Sequence, residues 1–145
     1  MTHRHFEKGV GYWLLSAANL LERVANDELQ PHGITFRQVQ VLGTLACHGE
    51  MSQTELADRI QVEPSTVVRI VDRMERDGWV ERFPSPNDRR VKLLRTTDKV
   101  DPVWQTILEV GVQIREQITQ GLSERQVSQL MKSLETICAN LGGDA

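Results

Sequence analysis

The sequence predicts a mainly α-helical fold carrying one small β-hairpin, and three observations lead to that prediction. Apolar residues recur at spacings of three and four along both ends of the chain, which is the period of an amphipathic helix. In the middle, two short helix signals follow one another across a tight break, the first opened by Ser52 and Glu55 in Ser-x-x-Glu spacing and the second by Pro64. Directly behind them, WVERF and VKLLR are short runs rich in aromatic and branched residues, separated by the turn-forming PSPNDRR.

Each element can be justified in order. Phe6, Val10, Trp13, Leu14, Ala17, Leu20, Leu21 and Val24 form the stripe of a first helix, which LQPHGIT ends. Phe36, Val39, Val41, Leu42 and Leu45 mark a second, opened by Thr35 as N-cap and stopped near Gly49. A third runs from about Gln53 to Ile60, because the Ser52 and Glu55 side chains can satisfy free backbone donors reciprocally. The fourth starts at Pro64, whose missing N–H costs nothing in a first turn, and reaches about Asp77 with Gly78 as its C-terminal cap. Val67, Ile70, Val71 and Met74 make one narrow apolar stripe, while Ser65, Arg69, Asp72, Arg73 and Arg76 fall opposite it at roughly 100° per residue. Two short helices joined by a tight break, the second with a basic outer face, are what a helix-turn-helix needs to push side chains into a major groove. The hairpin that follows is then a wing. Beyond Thr97, Val103, Ile107, Val110, Ile114 and Ile118 define one more helix. Ser123 caps a last one, with a stripe of Val127, Leu130, Met131, Leu134, Ile137 and Leu141. These long terminal helices carry more apolar surface than a small central region can cover, so a helical dimerisation stem is expected.

Composition bounds the function. A chain of 145 residues fits one structural domain overall. Within it, residues 1–34 are expected to be an N-terminal helix of the dimerisation region, 35–99 the reading region and 100–145 the C-terminal dimerisation helices. No apolar run is long enough to span a bilayer and MTHRHFEKGV lacks the apolar core of a signal peptide, so no membrane partner and a cytoplasmic location are expected. Cys47 and Cys138 are too few and too distant for a disulfide framework. The net charge of -3 hides its distribution: residues 35–99 hold eleven Lys and Arg against ten Asp and Glu, so the net negative charge lies elsewhere. There is no Gly-rich phosphate loop, nucleophile elbow or Gly-bounded pair of carboxylates, and no enzymatic activity or cofactor is expected.

The order of helices, the segment SQTELADRIQVEPSTVVRIVDRMERDGWVER and above all PNDRRVKLLRTT resemble the MarR family of bacterial winged-helix regulators, whose wing carries Asp-x-Arg followed by a Leu-Thr pair. Thr96 departs from that pattern where the family usually has Leu, which is expected to loosen the base of the wing; Thr97 keeps the Thr. The resemblance covers essentially the whole chain. It implies a homodimer on a pseudo-palindromic double-stranded DNA operator, repressing transcription of an adjacent operon until a small molecule, a phenolic or aromatic acid, binds. It carries Asp88 over as a buttress of the wing and Arg90 as the side chain entering the minor groove. Such an arginine reads a narrow, strongly negative groove by shape rather than by a base code. Arg89 and Lys92 then meet phosphates. Ser65, Thr66, Arg69 and Arg73, behind Pro64, are the base or phosphate contacts of the fourth helix. Ser52 and Gln53 open the third helix and add a phosphate contact there.

The remaining candidates are sorted by chemistry. His3 and His5 form an H-x-H pair at a terminus, and His32, Cys47 and His48 complete no ligand spacing, so no metal site is expected. Cys47 ends an apolar helix and is read as a buried structural thiol, with a redox-responsive regulator as the alternative. The family's effector cleft lies between the first two helices and the stem, where Trp13, Asn19, Arg37 and Gln38 are the candidate contacts. A winged-helix protein-interaction module without DNA binding is the remaining alternative; the basic face and the intact Asp88 and Arg90 count against it.

Overall fold

In the computed structural model, which describes residues 9–143, six α-helices and two short 3-10 turns surround a small antiparallel sheet among the described residues. Phe6 and the pair His3 and His5 lie outside the described residues. Helix α1 spans Val10–Leu29 and passes into a 3-10 turn, Gln30–His32, closed by Gly33 in the left-handed region at φ 72°. Helix α2, Phe36–His48, opens on a full capping box: Thr35 accepts from the Gln38 N–H, and the Gln38 side chain accepts from the Thr35 N–H. The Asn26 carboxamide oxygen also accepts from the Phe36 N–H at 2.9 Å, tying α1 to the start of α2.

Strand β1, Met51–Ser52, leads straight into α3, Gln53–Ile60, where Ser52 and Glu55 form the expected capping box. Gln61 ends α3 at φ 54°, the only left-handed non-glycine among the described residues. Helix α4, Pro64–Arg76, has its proline in the first turn. It ends in a Schellman arrangement: Gly78, at φ 81°, donates to the Glu75 carbonyl and Trp79 donates to that of Met74.

Strands β2, Val80–Pro84, and β3, Lys92–Thr96, form the hairpin, with Val80 opposite Thr96 and Pro84 opposite Lys92. The sheet has three strands in the order β1-β3-β2, and β1 pairs Met51 with Leu94. Sequence reading gave MSQTEL only to the start of α3. A two-residue strand has no alternation to detect, and its partner lies some forty positions away in β3. Behind β3, Thr97 donates its N–H to the Trp79 carbonyl and its hydroxyl to that of Gly78. Lys99, in the short 3-10 turn Asp98–Val100, donates its ammonium to the Asp77 carbonyl. The start of α5, Asp101–Thr119, is thereby fastened to the end of α4. Helix α6, Glu124–Asn140, opens on a capping box of Ser123 and Gln126.

The described chain divides into two compact units that part between Val110 and Gly111, inside α5. The first has a closed core in which Leu42, Leu56, Val67, Val71, Met74 and Leu94 are all fully buried. The second buries almost nothing: α6 has no buried residue, and Val112, Ile118, Leu130 and Met131 are exposed. No described helix is long and apolar enough to cross a membrane.

Candidate nucleic-acid interface

Helix α4 meets the core with Val67, Val71 and Met74, and this orientation turns Ser65, Thr66, Arg69, Asp72, Arg73 and Arg76 outward. Pro64 is exposed at its first turn, beside Ser65 and Thr66. Among the described residues neither Arg69 nor Arg73 forms an ion pair, so both guanidinium groups are available to an anionic partner. Arg76 touches only the neighbouring Asp77, at 3.5 Å and in solvent, a contact of little strength.

The wing tip is built by two side chains. Ser85 is buried at the base of the turn, where its N–H donates to the Val91 carbonyl and its hydroxyl accepts from the Asn87 N–H. Asp88 accepts from the backbone N–H of Arg90 at 3.0 Å and from its Nε at 3.4 Å with the same carboxylate oxygen. The carboxylate thus fixes the backbone of the turn, while its solvent contact with the guanidinium is a weak one. Arg90 nevertheless remains 93% exposed along its side chain, projected from the tip rather than folded onto the protein. Arg89 and Lys92 flank it, both exposed.

Ser52 and Gln53 stand at the start of α3. The Ser52 hydroxyl lies 3.4 Å from the Glu55 carboxylate and accepts from the Glu55 N–H, so its capping duty is fully engaged. Gln53 is held differently. Its oxygen accepts from Nε and Nη2 of Arg82 at 2.8 and 2.6 Å, and because arginine only donates, the exposed end of that amide is the donor NH2. The same guanidinium pairs with Asp72 and, at 3.0 Å, with Glu75, whose other oxygen accepts from the Arg82 backbone N–H at 2.9 Å. Arg82 therefore binds β2, α3 and α4 together. Sequence reading missed it: VERF marks a strand, and nothing local connects position 82 to position 53.

The four effector candidates are not gathered in one hollow. Trp13 and Asn19 are exposed on α1. Arg37 pairs with Glu22 at 3.3 Å and donates to Gln40, while Gln38 serves the Thr35 cap. A hollow at the end of α1 is lined by Asn26, Asp27, Gln30, Gly33, Ile34 and Thr35 instead. Cys47 needs a correction: it is exposed, not buried. The buried face of α2 passes through Val41, Leu42 and Leu45, which places Cys47 in the last turn on the outside, in a shallow hollow with Thr44, His48 and Arg59.

Comparison with known proteins bears on this arrangement. The MarR family matches residues 34–92. The chain is 32% identical over 117 residues to the multiple antibiotic resistance protein MarR of Salmonella typhimurium, covering 80% of this chain and 81% of that protein. It is 31% identical over 130 residues to the HTH-type transcriptional repressor IacR of Pseudomonas putida, covering 90% and 78%. Among solved structures, a cysteine-to-serine mutant of MarR from E. coli complexed with operator DNA superimposes with a TM-score of 0.83 at 27% identity, over 92% of this chain and 96% of that one. CouR from Rhodococcus jostii RHA1, bound to p-coumaroyl-CoA, gives 0.78 at 25% identity over 90% and 92%.

Proposed function

The chain belongs to the MarR family, and from that premise we propose that it is a homodimeric, DNA-binding transcriptional repressor released from a pseudo-palindromic operator by a small molecule. The observation that carries the reading is the wing: a fully projected Arg90 whose backbone and guanidinium are both held by Asp88. Asp88 sets the backbone of the turn as an Asx turn does, and Arg90 stands out from it as a minor-groove probe must. Arg69 and Arg73, with Ser65 and Thr66 behind Pro64, enter the major groove and contact base edges or phosphates there. Arg89, Lys92, Ser52 and the amide of Gln53 contact phosphates.

Residues 35–99 form the reading region in this proposal, and the terminal helices, residues 1–34 and 100–145, form the dimerisation region. The support is exposed apolar surface on α1 at Trp13, Leu15 and Leu20, and on α6 at Leu130 and Met131. The reading places the protein in the cytoplasm with its DNA and assigns it no catalytic step. CouR was solved with an aromatic thioester, which supports an aromatic acid or its derivative as effector here. Trp13 and Asn19 are free to meet it; Arg37 and Gln38 can do so only by leaving Glu22 and the Thr35 cap.

The test is DNA binding as a function of salt. A dimer that uses Arg69, Arg73, Arg89 and Lys92 on phosphates gives log K against log salt a slope steeper than about -4. A flat response excludes the reading. One observation favours a second, redox-responsive mode, namely the exposure of Cys47. Hydrogen peroxide then lowers DNA binding of the wild type and leaves Cys47→Ser unaffected; equal responses exclude that mode.

A further inference from the structure

Asp72 is an anomaly on the reading face. At about 100° per residue it projects within roughly 20° of Ser65 and 40° of Arg76, at the rim of the surface assigned to DNA. Glu75 lies about 60° further round the helix, away from Arg69 and Arg73. Two carboxylates there should repel phosphates and oppose the very arginines beside them. Both are gripped by Arg82, a residue outside α4 whose side chain is only 20% exposed although its partners are 60% and 41% exposed.

We propose that Arg82 is a positioning residue of the DNA interface that acts by masking charge: its guanidinium neutralises Asp72 and Glu75 on the reading helix. The inference rests on the DNA-binding reading above. The geometry suits a mask better than a probe. The Arg82 side chain makes four hydrogen bonds to acceptors on three side chains, one more than the three donors of a lysine ammonium could supply. The mask leaves the outward donors of Arg69, Arg73 and Gln53 as the chemistry a phosphate meets.

A charge mask makes a prediction that neither a structural brace nor a direct contact makes. The full-length protein is titrated against two probes, a duplex recovered from a random-sequence pool by rounds of binding and a scrambled duplex of the same composition. Arg82→Gln lowers affinity for both by on the order of tenfold, since the unmasked carboxylates repel any DNA. Adding Asp72→Asn and Glu75→Gln to that variant removes the repulsion and recovers binding to within about threefold of wild type. A triple variant as weak as Arg82→Gln overturns the inference, since a brace or a direct contact would give that result. Wild type that retains no duplex overturns the DNA reading itself and this inference with it. Should Arg82→Gln not yield a folded dimer, the pair Asp72→Asn and Glu75→Gln decides alone: binding at least as tight as wild type supports the mask, and weaker binding at unchanged melting temperature overturns it.

Discussion

Helices α4 and α6 have similar lengths, thirteen and seventeen residues, and strongly sided sequences, yet they meet opposite fates. Helix α4 buries Val67, Val71 and Met74 completely and has a Schellman cap and a clamp from Arg82. Helix α6 has a good capping box and no buried residue at all. An apolar stripe is therefore not a statement about burial within one chain. In α4 it records a core the chain itself closes; in α6 it is surface that the described residues leave uncovered, and local capping cannot substitute for burial.

The contrast can be broken most severely on the α6 side. Leu130→Glu on a helix that stays in solvent changes stability by no more than about 0.5 kcal/mol. On a helix that forms a dimer seam it buries a charge without a partner, and light scattering at micromolar concentration gives the monomer mass with operator binding lost. A variant that remains a dimer breaks the comparison. In the head the matching change is Leu56→Ala, which leaves the dimer mass intact and costs ~2–5 kcal/mol in denaturant unfolding through transfer and cavity effects. Loss below ~1 kcal/mol shows a core less well filled than its burial indicates.

Smaller effects sharpen the division of labour inside the head. Arg69→Ala costs about 1–3 kcal/mol and relaxes preference at one or two base pairs if its contact to guanine is bidentate. Arg90→Ala weakens binding to every operator, most where the flanks are A-tracts with a narrow groove. Asp88→Ala is a milder form of it, because the arginine stays while its guanidinium and backbone N–H lose their shared acceptor. Titration against flank-substituted duplexes separates the three, and equal losses on all flanks for Arg90→Ala contradict a minor-groove role. Smallest is Gly78→Ala, which forces a side chain into φ 81° at the end of α4 and lowers stability by ~1 kcal/mol in thermal unfolding. Its Cβ would lie 3.4 Å from the flexible Lys99 chain, so no further clash adds to that cost.

What could be read in the sequence is what is encoded within a few residues. The Ser52 and Glu55 box, Pro64 at a first turn, Gly78 after α4 and the Asp88 and Arg90 pair all act across four positions or fewer. Long-range pairings were invisible. Strand β1 exists only because β3 returns to it, and Arg82 finds Gln53 across twenty-nine positions. Cys47 was misplaced for a related reason: an apolar helix has an outer side, and the end of α2 lies there. The effector candidates rested on no spacing rule, and Gln38 belongs to a capping box with Thr35 that the reading of α2 overlooked.

Thr97 and Lys99 have a mechanical consequence. Three donors from the segment that opens α5 end on the carbonyls of Asp77, Gly78 and Trp79, the last backbone acceptors of the reading helix and its exit turn. Each bond contributes about 0.5–1.5 kcal/mol net, and together they leave no slack between the two helices. If the root of α5 shifts, the tail of α4 must travel with it or tear free of all three. A shift of α5 is thereby passed to α4, whose far end carries Ser65 and Thr66.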